Sequence, residues 1–200
     1  MMSTSRSAHH PAALVAYVGA GLYVLLLAVL HLVQPHMLSE ATISKYALGS
    51  GGWMLQVAFV SAGVAYGGLG RLLSGRAAVL AWLTAVAFAV MGAFRIDAVG
   101  PNRIASMHGA LHTGSFFAVV VLAHALMFLE RSRHRSPMLR ILPVVAPVLA
   151  VTGFMLPGIV GALLFRAWTL TLVAWVVFTA RQASAGADPR TDRPATPAHA

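Results

Sequence analysis

Long apolar stretches separated by short polar segments run through most of the chain. Six of them approach the roughly 20 apolar residues that a helix needs to cross the hydrocarbon core of a bilayer. They cover residues 12–34, 53–73, 77–94, 104–129, 138–156 and 158–179. The pattern predicts an all-α, polytopic membrane protein with six transmembrane helices. Because only Pro157 separates the last two stretches, these helices are expected to be antiparallel neighbours.

The remaining residues are too few and too polar to form a soluble domain. Residues 1–11 are expected to be a cytoplasmic N-terminal tail, and residues 12–181 a single transmembrane domain. Residues 182–200, rich in Ala, Pro, Asp and Arg, are typical of a disordered cytoplasmic tail. The first apolar stretch is too long for the core of a cleaved signal peptide, so it is expected to remain as a helix.

The amino-acid composition also indicates a membrane protein and limits the classes of partner it could bind. The chain is 58% hydrophobic and 10% charged, whereas soluble domains carry about 25% charged residues. The absence of cysteine excludes disulfides and thiolate chemistry. The net charge is +9, but the basic residues form no nucleic-acid-binding motif. We therefore expect the basic residues to contact anionic lipids at the cytoplasmic face.

The positive charges also predict an orientation, because basic residues favour cytoplasmic loops. With both termini inside, Lys45, Arg95 and Arg103 lie on the outer side. The inner side then holds Arg6, Arg71, Arg76, Arg131, Arg133, Arg135, Arg140, Arg181, Arg190 and Arg193. This bias predicts an N-in, C-in topology. The abundance of Arg and Ala is typical of GC-rich bacterial genomes, so a bacterial inner membrane is the expected location.

The predicted orientation brings ionisable residues from several helices to one level of the outer leaflet. Burying such side chains at membrane depth costs free energy, so each is treated as a candidate functional residue. They are His31 near the end of the first helix, Asp97 after the third, His108 and His112 in the fourth, and Arg166 in the sixth. Residues 35–52 are expected to lie over them as a covering loop.

One interpretation of this layer is a metal site. The imidazoles of His108 and His112, four residues apart on a helix, could bind one zinc ion together with His31. Asp97 would act as a ligand or general base, and Arg166 would hold an anionic headgroup or a developing oxyanion. The protein would then be a metal-dependent hydrolase or transferase acting on a lipid-like substrate.

Two other interpretations remain open. The same residues could form a polar network without catalysis, in which Asp97 neutralises Arg166 around an outward-facing cavity that binds a lipid or another amphipathic ligand. Alternatively, His31 and His112 could hold a haem, and His124 could suggest a second one. Without a second haem, His124 is expected at the inner membrane interface or in a cavity. His134 is expected in a solvated loop.

Small residues in the second helix predict a packing surface. Gly63 and Gly67, followed by Gly70, form a stripe along which another helix can approach closely.

Short motifs give the chain a family resemblance. They are residues 43–49 (Ile-Ser-Lys-Tyr-Ala-Leu-Gly), 52–54 (Gly-Trp-Met), 94–97 (Phe-Arg-Ile-Asp) and 108–112 (His-Gly-Ala-Leu-His), with the arginine of the sixth helix. Over residues 12–181 the chain resembles domain-of-unknown-function family 998 (DUF998), a group of bacterial six-helix membrane proteins. The resemblance implies the six-helix fold and no particular activity. A Phe-Pro-x-Asp-like element of the family is altered here, although Asp97 keeps its carboxylate.

A weaker analogy links the chain to membrane hydrolases related to alkaline ceramidases and adiponectin receptors. Those proteins hold an intramembrane zinc with three histidines, an Asp and a Ser. His31, His108, His112 and Asp97 are similar in type and in the elements that carry them. However, those hydrolases usually have seven helices, and their histidine pair lies near the last one.

Overall fold

Six α-helices make up the fold in the computed structural model, which describes residues 6–40, 42–98, 106–134 and 136–186. They are α1 (Arg6–Val33), α2 (Trp53–Gly70), α3 (Gly75–Ala93), α4 (Met107–Glu130), α5 (Pro137–Met155) and α6 (Gly158–Gly186). Each is long and apolar enough to cross a membrane. The prediction of an all-α, six-helix fold is therefore confirmed, and the protein is a multi-pass membrane protein.

The helix boundaries follow local chemistry. Ser106 caps α4, because its hydroxyl accepts the backbone N–H of Gly109 at 3.1 Å. Pro137 opens α5, where a missing N–H is tolerated. Between α5 and α6 the chain turns at Pro157 and at Gly158, whose φ of +69° favours glycine.

The chain ends are more helical than the sequence suggests. α1 begins at Arg6, inside the segment expected to be the N-terminal tail, and α6 continues to Gly186, past the expected start of the C-terminal tail. The rest of both predicted tails, residues 1–5 and 187–200, lies outside the described residues, as do Arg103 and Arg135.

Consecutive helices pack against each other and α6 closes the bundle. The pairs in contact include α1 with α2, α2 with α3, α3 with α4, and α5 with α6, while α6 also packs on α1. We name as the loop end the end at which α1, α3 and α5 stop and α2, α4 and α6 begin. The first loop (residues 34–52) lies there and contains two short 3-10 helices, Pro35–Ser39 and Ile43–Leu48.

Glycines allow α2 to lie in backbone contact with both neighbours. A β-carbon on Gly19 of α1 would lie 2.6 Å from the backbone nitrogen of Ala65 in α2. A β-carbon on Gly63 of α2 would lie 2.8 Å from the carbonyl oxygen of Ala85 in α3. The predicted close approach at Gly63 is thus confirmed. Gly67 and Gly70 face the Trp82 ring of α3 instead of its backbone.

A matched pair of glycines tests this packing. Gly19→Ala is expected to lower the free energy of unfolding by about 1–3 kcal/mol, because the new methyl meets backbone atoms that cannot move aside. Gly21→Ala, two residues away, meets no atom within 4 Å. It should change stability by less than about 1 kcal/mol, in the stabilising direction. Reversible unfolding in mixed micelles measures both. Equal stabilities of the two variants would contradict the close α1–α2 contact.

Candidate functional site

Arg166 lies two turns into α6, is only 8% exposed, and uses all five of its N–H groups. The acceptors are His31 Nε2 at 2.7 Å, Ala162 O at 2.9 Å, Met37 O at 3.1 Å, Glu40 O at 3.2 Å and Tyr46 Oη at 3.3 Å. The Arg166 guanidinium also lies 5.8 Å from the centre of the Tyr46 ring, within range of a cation–π interaction. None of the five acceptors is a carboxylate. The structure therefore does not join Arg166 to Asp97.

The contacts of His31 determine which of its nitrogens carries the proton. Its Nδ1 lies 2.6 Å from the carbonyl oxygen of Leu27, one turn earlier in α1, so Nδ1–H must donate. Its Nε2 accepts the Nε–H of Arg166, which can only donate. His31 is thus neutral, and its one lone pair is already used by Arg166.

The first loop folds over Arg166 and is held there by Gln34, which the sequence analysis did not single out. The buried Gln34 amide donates to the carbonyl oxygens of Tyr46 at 3.1 Å and Ser50 at 2.6 Å. A β-carbon at Gly49 would collide with the Gln34 side chain, so the loop packs directly on it. A glutamine ending an apolar helix is the only sequence signal for this role.

His112 is buried and connects α4 to α3 and to the first loop. Its Nδ1–H donates to the carbonyl oxygens of Met91 at 3.0 Å and Phe94 at 2.8 Å, at the end of α3. The last carbonyls of a helix lack partners within it, so this contact satisfies them. The hydroxyl of Ser44 lies 3.0 Å from Nε2 and donates to its lone pair.

The other two predicted site residues lie at the edge of this layer. His108 is exposed and contacts the Phe94 ring edge-on, with the ring centres 5.4 Å apart. Asp97 accepts the backbone N–H of Ser106 at 2.7 Å and its hydroxyl at 2.6 Å, and it packs on Gly109. Asp97 therefore supports the beginning of α4.

The predicted zinc ligands do not converge in the part of the chain that the structure describes. No group of three or more His, Cys, Asp or Glu side chains there could hold a metal ion. His31 and His112 each use Nδ1–H on a carbonyl and Nε2 on a donor, whereas a neutral histidine ligand needs a free lone pair. For the same reason, His31 and His112 have no free lone pair with which to bind a haem iron between them. His108 shares a face with His112 in sequence but not its environment.

His124 repeats the His31 arrangement deeper in the bundle. Its Nδ1–H donates to the carbonyl oxygen of Val120 at 2.6 Å, and its Nε2 accepts the indole N–H of Trp168 at 3.2 Å. Two histidines thus bind α6 through residues two positions apart: His31 of α1 holds Arg166, and His124 of α4 holds Trp168.

An apolar cavity lies beside this polar layer. The volume open to the centre of a water molecule is about 30 Å³. Five helices and the first loop form its wall, with α5 taking no part. Most of the lining residues that are not aromatic are aliphatic, and seven contribute aromatic rings: Tyr23, Phe59, Tyr66, Phe88, Phe116, Phe165 and Trp168. α4 and α6 meet here through large side chains, with ring centres of Phe116 and Trp168 6.0 Å apart.

Arg166, His31 and Tyr46 do not line this cavity. Thr169 connects the cavity to the polar layer, since its hydroxyl donates to the Arg166 carbonyl at 2.8 Å and bonds the Tyr23 side chain. Tyr66 is 2% exposed, and its hydroxyl has no hydrogen-bond partner. A buried hydroxyl without a partner is costly, and the same holds for Gln34 Oε1, His134 Nε2, Trp175 Nε1 and Thr179 Oγ1.

Comparison with known proteins identifies the family. A family model described as "Protein of unknown function (DUF998)" matches residues 17–182. The chain belongs to this family. The match confirms the resemblance to this family. No curated protein and no solved structure matches the chain.

This DUF998 protein has a second buried polar cluster at the end opposite the first loop. Glu130 is buried and pairs with the exposed Arg133 at 2.8 Å. His134, expected in a solvated loop, is instead buried between α4 and α6, where its Nδ1 contacts Gln182 Oε1 at 3.0 Å. The prediction for His134 is therefore wrong. The adjacent arginines suggested a solvated segment, but α6 extends far enough to cover the ring.

Replacing Arg166 tests whether its five hydrogen bonds keep the first loop in place. In Arg166→Lys, a single ammonium group cannot reach all the acceptors that surround the planar guanidinium. The free energy of unfolding should therefore fall by about 2–4 kcal/mol. Ser44→Cys in the same background reports on the loop, because the native chain has no cysteine. Maleimide should label it faster than in the Arg166 protein. Arg76→Lys, an exposed change at the opposite end, is the control. Unchanged stability and labelling in Arg166→Lys would contradict this role.

Proposed function

We propose that this DUF998 protein binds the hydrocarbon part of a lipid or another amphipathic molecule in its interior cavity, without a chemical step. The observation that carries the proposal is an apolar cavity within the membrane-spanning bundle, lined mainly by aromatic rings and aliphatic side chains. The cavity offers about 30 Å³ to the centre of a water molecule, so an entering chain must displace side chains of the wall.

The occupied polar groups favour binding over catalysis. Arg166 has no N–H left to stabilise a developing anion, and the lone pairs of His31 and His112 already accept hydrogen bonds. A general base or a metal ligand needs a lone pair that faces substrate or ion. In this proposal the residues first considered for catalysis, Asp97 and Arg166, instead stabilise the loop end of the bundle.

A cavity-filling variant tests the binding proposal. Trp53, Trp82 and Trp175 are first replaced by Phe, so that Trp168 on the cavity wall is the only tryptophan. Dibrominated octadecanol added to phosphatidylcholine vesicles should then quench Trp168 fluorescence, because bromine quenches only at short range. Ala62→Leu adds bulk at a lining position and should weaken apparent binding by about tenfold, equivalent to about 1.4 kcal/mol.

The control for this variant is Ala89→Leu, the same change at an exposed position of α3. It should leave quenching unchanged. Equal quenching of Trp168 in the Ala62→Leu, Ala89→Leu and unfilled proteins would show that bromine reaches Trp168 only from the surrounding lipid. The binding proposal would then be wrong.

We also propose that the loop end faces outward, with both termini in the cytoplasm of a bacterial cell and the basic opposite end against anionic lipids. The distribution of basic residues supports it, since Arg71, Arg76 and Arg140 lie at the opposite end. Single cysteines at exposed Ser39 and Arg76 test this orientation in intact cells. A membrane-impermeant maleimide should label Ser39→Cys, and label Arg76→Cys only after lysis. The reverse pattern would overturn the topology.

A further inference from the structure

A groove lies between α1 and α6 on the surface of the bundle that faces the bilayer. Its wall extends over residues 17–28 of α1, where Leu25 is 58% exposed, and includes Val173 and Val177 of α6. About 580 Å³ is open to the centre of a water molecule, compared with about 30 Å³ in the interior cavity. Gly21 keeps the groove open, because it is exposed and a β-carbon there would meet no atom within 4 Å. The groove therefore accepts a molecule from the bilayer without displacing its wall.

The hydrogen bond between His31 and Arg166 sets the register of α1 against α6. The two helices are antiparallel, since α1 ends and α6 begins at the loop end. At 1.5 Å per residue, Tyr17 lies about 21 Å from His31 along α1, and Arg181 lies about 22 Å from Arg166 along α6. Tyr17 and Arg181 are therefore at nearly the same depth, at the end of the groove that is farther from the first loop.

Arg181 follows the groove on the α6 side. Val173, Val177 and Arg181 are four residues apart, so they lie on successive turns of one face of α6. Side chains on a helix incline toward its N-terminus, which directs Arg181 from its own turn toward Val177. Arg181 is exposed and takes part in neither of the two ion pairs among the described residues. In that part of the chain, its charge has no carboxylate partner.

The groove is about as long as one leaflet of the bilayer is thick. Residues 17–28 of α1 rise about 16 Å, and half of the hydrocarbon core is about 15 Å. The fatty acyl chain of a phospholipid spans one leaflet, so a chain lying along the groove brings its headgroup level with Arg181. The guanidinium then donates charge-assisted hydrogen bonds to the phosphate. Because acyl chains are common to all phospholipids, the charge of Arg181 selects for an anionic headgroup.

A second copy of this chain fits the groove less well. In a dimer with a two-fold axis along the membrane normal, both subunits present the same surface to each other. The two Arg181 side chains would then lie at the same depth on the two sides of the interface. Their like charges repel, whereas an anionic phospholipid places the opposite charge beside Arg181.

The geometry points to a binding site for an anionic phospholipid in this groove. One acyl chain lies along residues 17–28 of α1, and the phosphate binds Arg181. The inference rests on the proposed contact between the basic end and anionic lipids, and it gives that contact a defined site. In the proposed orientation the site belongs to the cytoplasmic leaflet. It does not depend on binding in the interior cavity.

The headgroup contact is tested by native mass spectrometry of the purified protein, titrated in detergent with dioleoylphosphatidylglycerol or dioleoylphosphatidylcholine. Arg181→Gln should weaken binding of the first phosphatidylglycerol by about fivefold, equivalent to about 1 kcal/mol, and leave phosphatidylcholine binding unchanged. Arg76→Gln, an exposed change at the same end of the bundle on α3, is the matched control. It should leave the binding of both lipids unchanged.

The chain contact is tested by filling the groove. Gly21→Leu should weaken the binding of both lipids by the same factor, at least about threefold, because the new side chain occupies the space of the acyl chain. Gly114→Leu on α4 is the control, since Gly114 is also exposed and a β-carbon there would meet no atom within 4 Å. Unchanged lipid binding in Gly21→Leu would show that the chain does not lie in this groove.

The remaining outcomes separate this site from the proposal on which it rests. If Arg76→Gln weakens phosphatidylglycerol binding as much as Arg181→Gln does, the groove site is wrong, although the contact of the basic end with anionic lipids stands. If neither variant reduces the preference for phosphatidylglycerol, both ideas fail. A dimer in the spectra of the native protein that is lost in Gly21→Leu would show that a second copy occupies the groove instead.

Discussion

A buried guanidinium without a carboxylate partner is the constraint on which the loop end depends. Arg166 keeps its charge in any protein environment, so its five N–H groups need acceptors wherever α6 places them. They are found on α1, on α6 itself and above all on the first loop, through Met37, Glu40 and Tyr46. The loop covers the arginine because it supplies the acceptors, and it keeps its conformation because the arginine holds them.

Histidines extend the same principle across the bundle. A neutral imidazole has one donor and one acceptor on opposite sides, so it can connect a backbone carbonyl to a side-chain donor. His31 and His124 use the carbonyl one turn earlier on their own helices, and present Nε2 to Arg166 and Trp168 of α6. Interhelical hydrogen bonds of this kind contribute about 0.6–2 kcal/mol each in membranes. Their greater effect is to determine the rotation of α6, and so which of its residues face the cavity.

The sequence predicted the six helices and the close packing at Gly63, because apolar length and small residues act locally. It could not predict the site, since the partners of Arg166 are mostly backbone carbonyls, which leave no mark in the residue pattern. The spacing of His108 and His112 suggested a shared ligand. His112 is buried, with its Nδ1 on the carbonyls at the end of α3, whereas His108 is exposed and contacts only the Phe94 ring there. The role of Gln34 in holding the first loop could not be predicted, because it depends on the loop conformation and not on the neighbouring residues in sequence.

The hydrogen bonds of these polar groups distinguish the polar layer at the loop end from the apolar cavity beside it, a difference that the sequence could not show. Polar side chains near the loop end contact one another and the backbone, although Gln34 Oε1 has no partner, whereas the cavity beside them is lined mainly by rings and aliphatic groups. A molecule bound there gains mainly from the apolar area it removes from the bilayer or from poorly packed space. Because lipid chains are equally apolar, that gain is small unless shape or a polar contact adds to it. Selectivity must then come from the contour of the aromatic wall and from one or two hydroxyls.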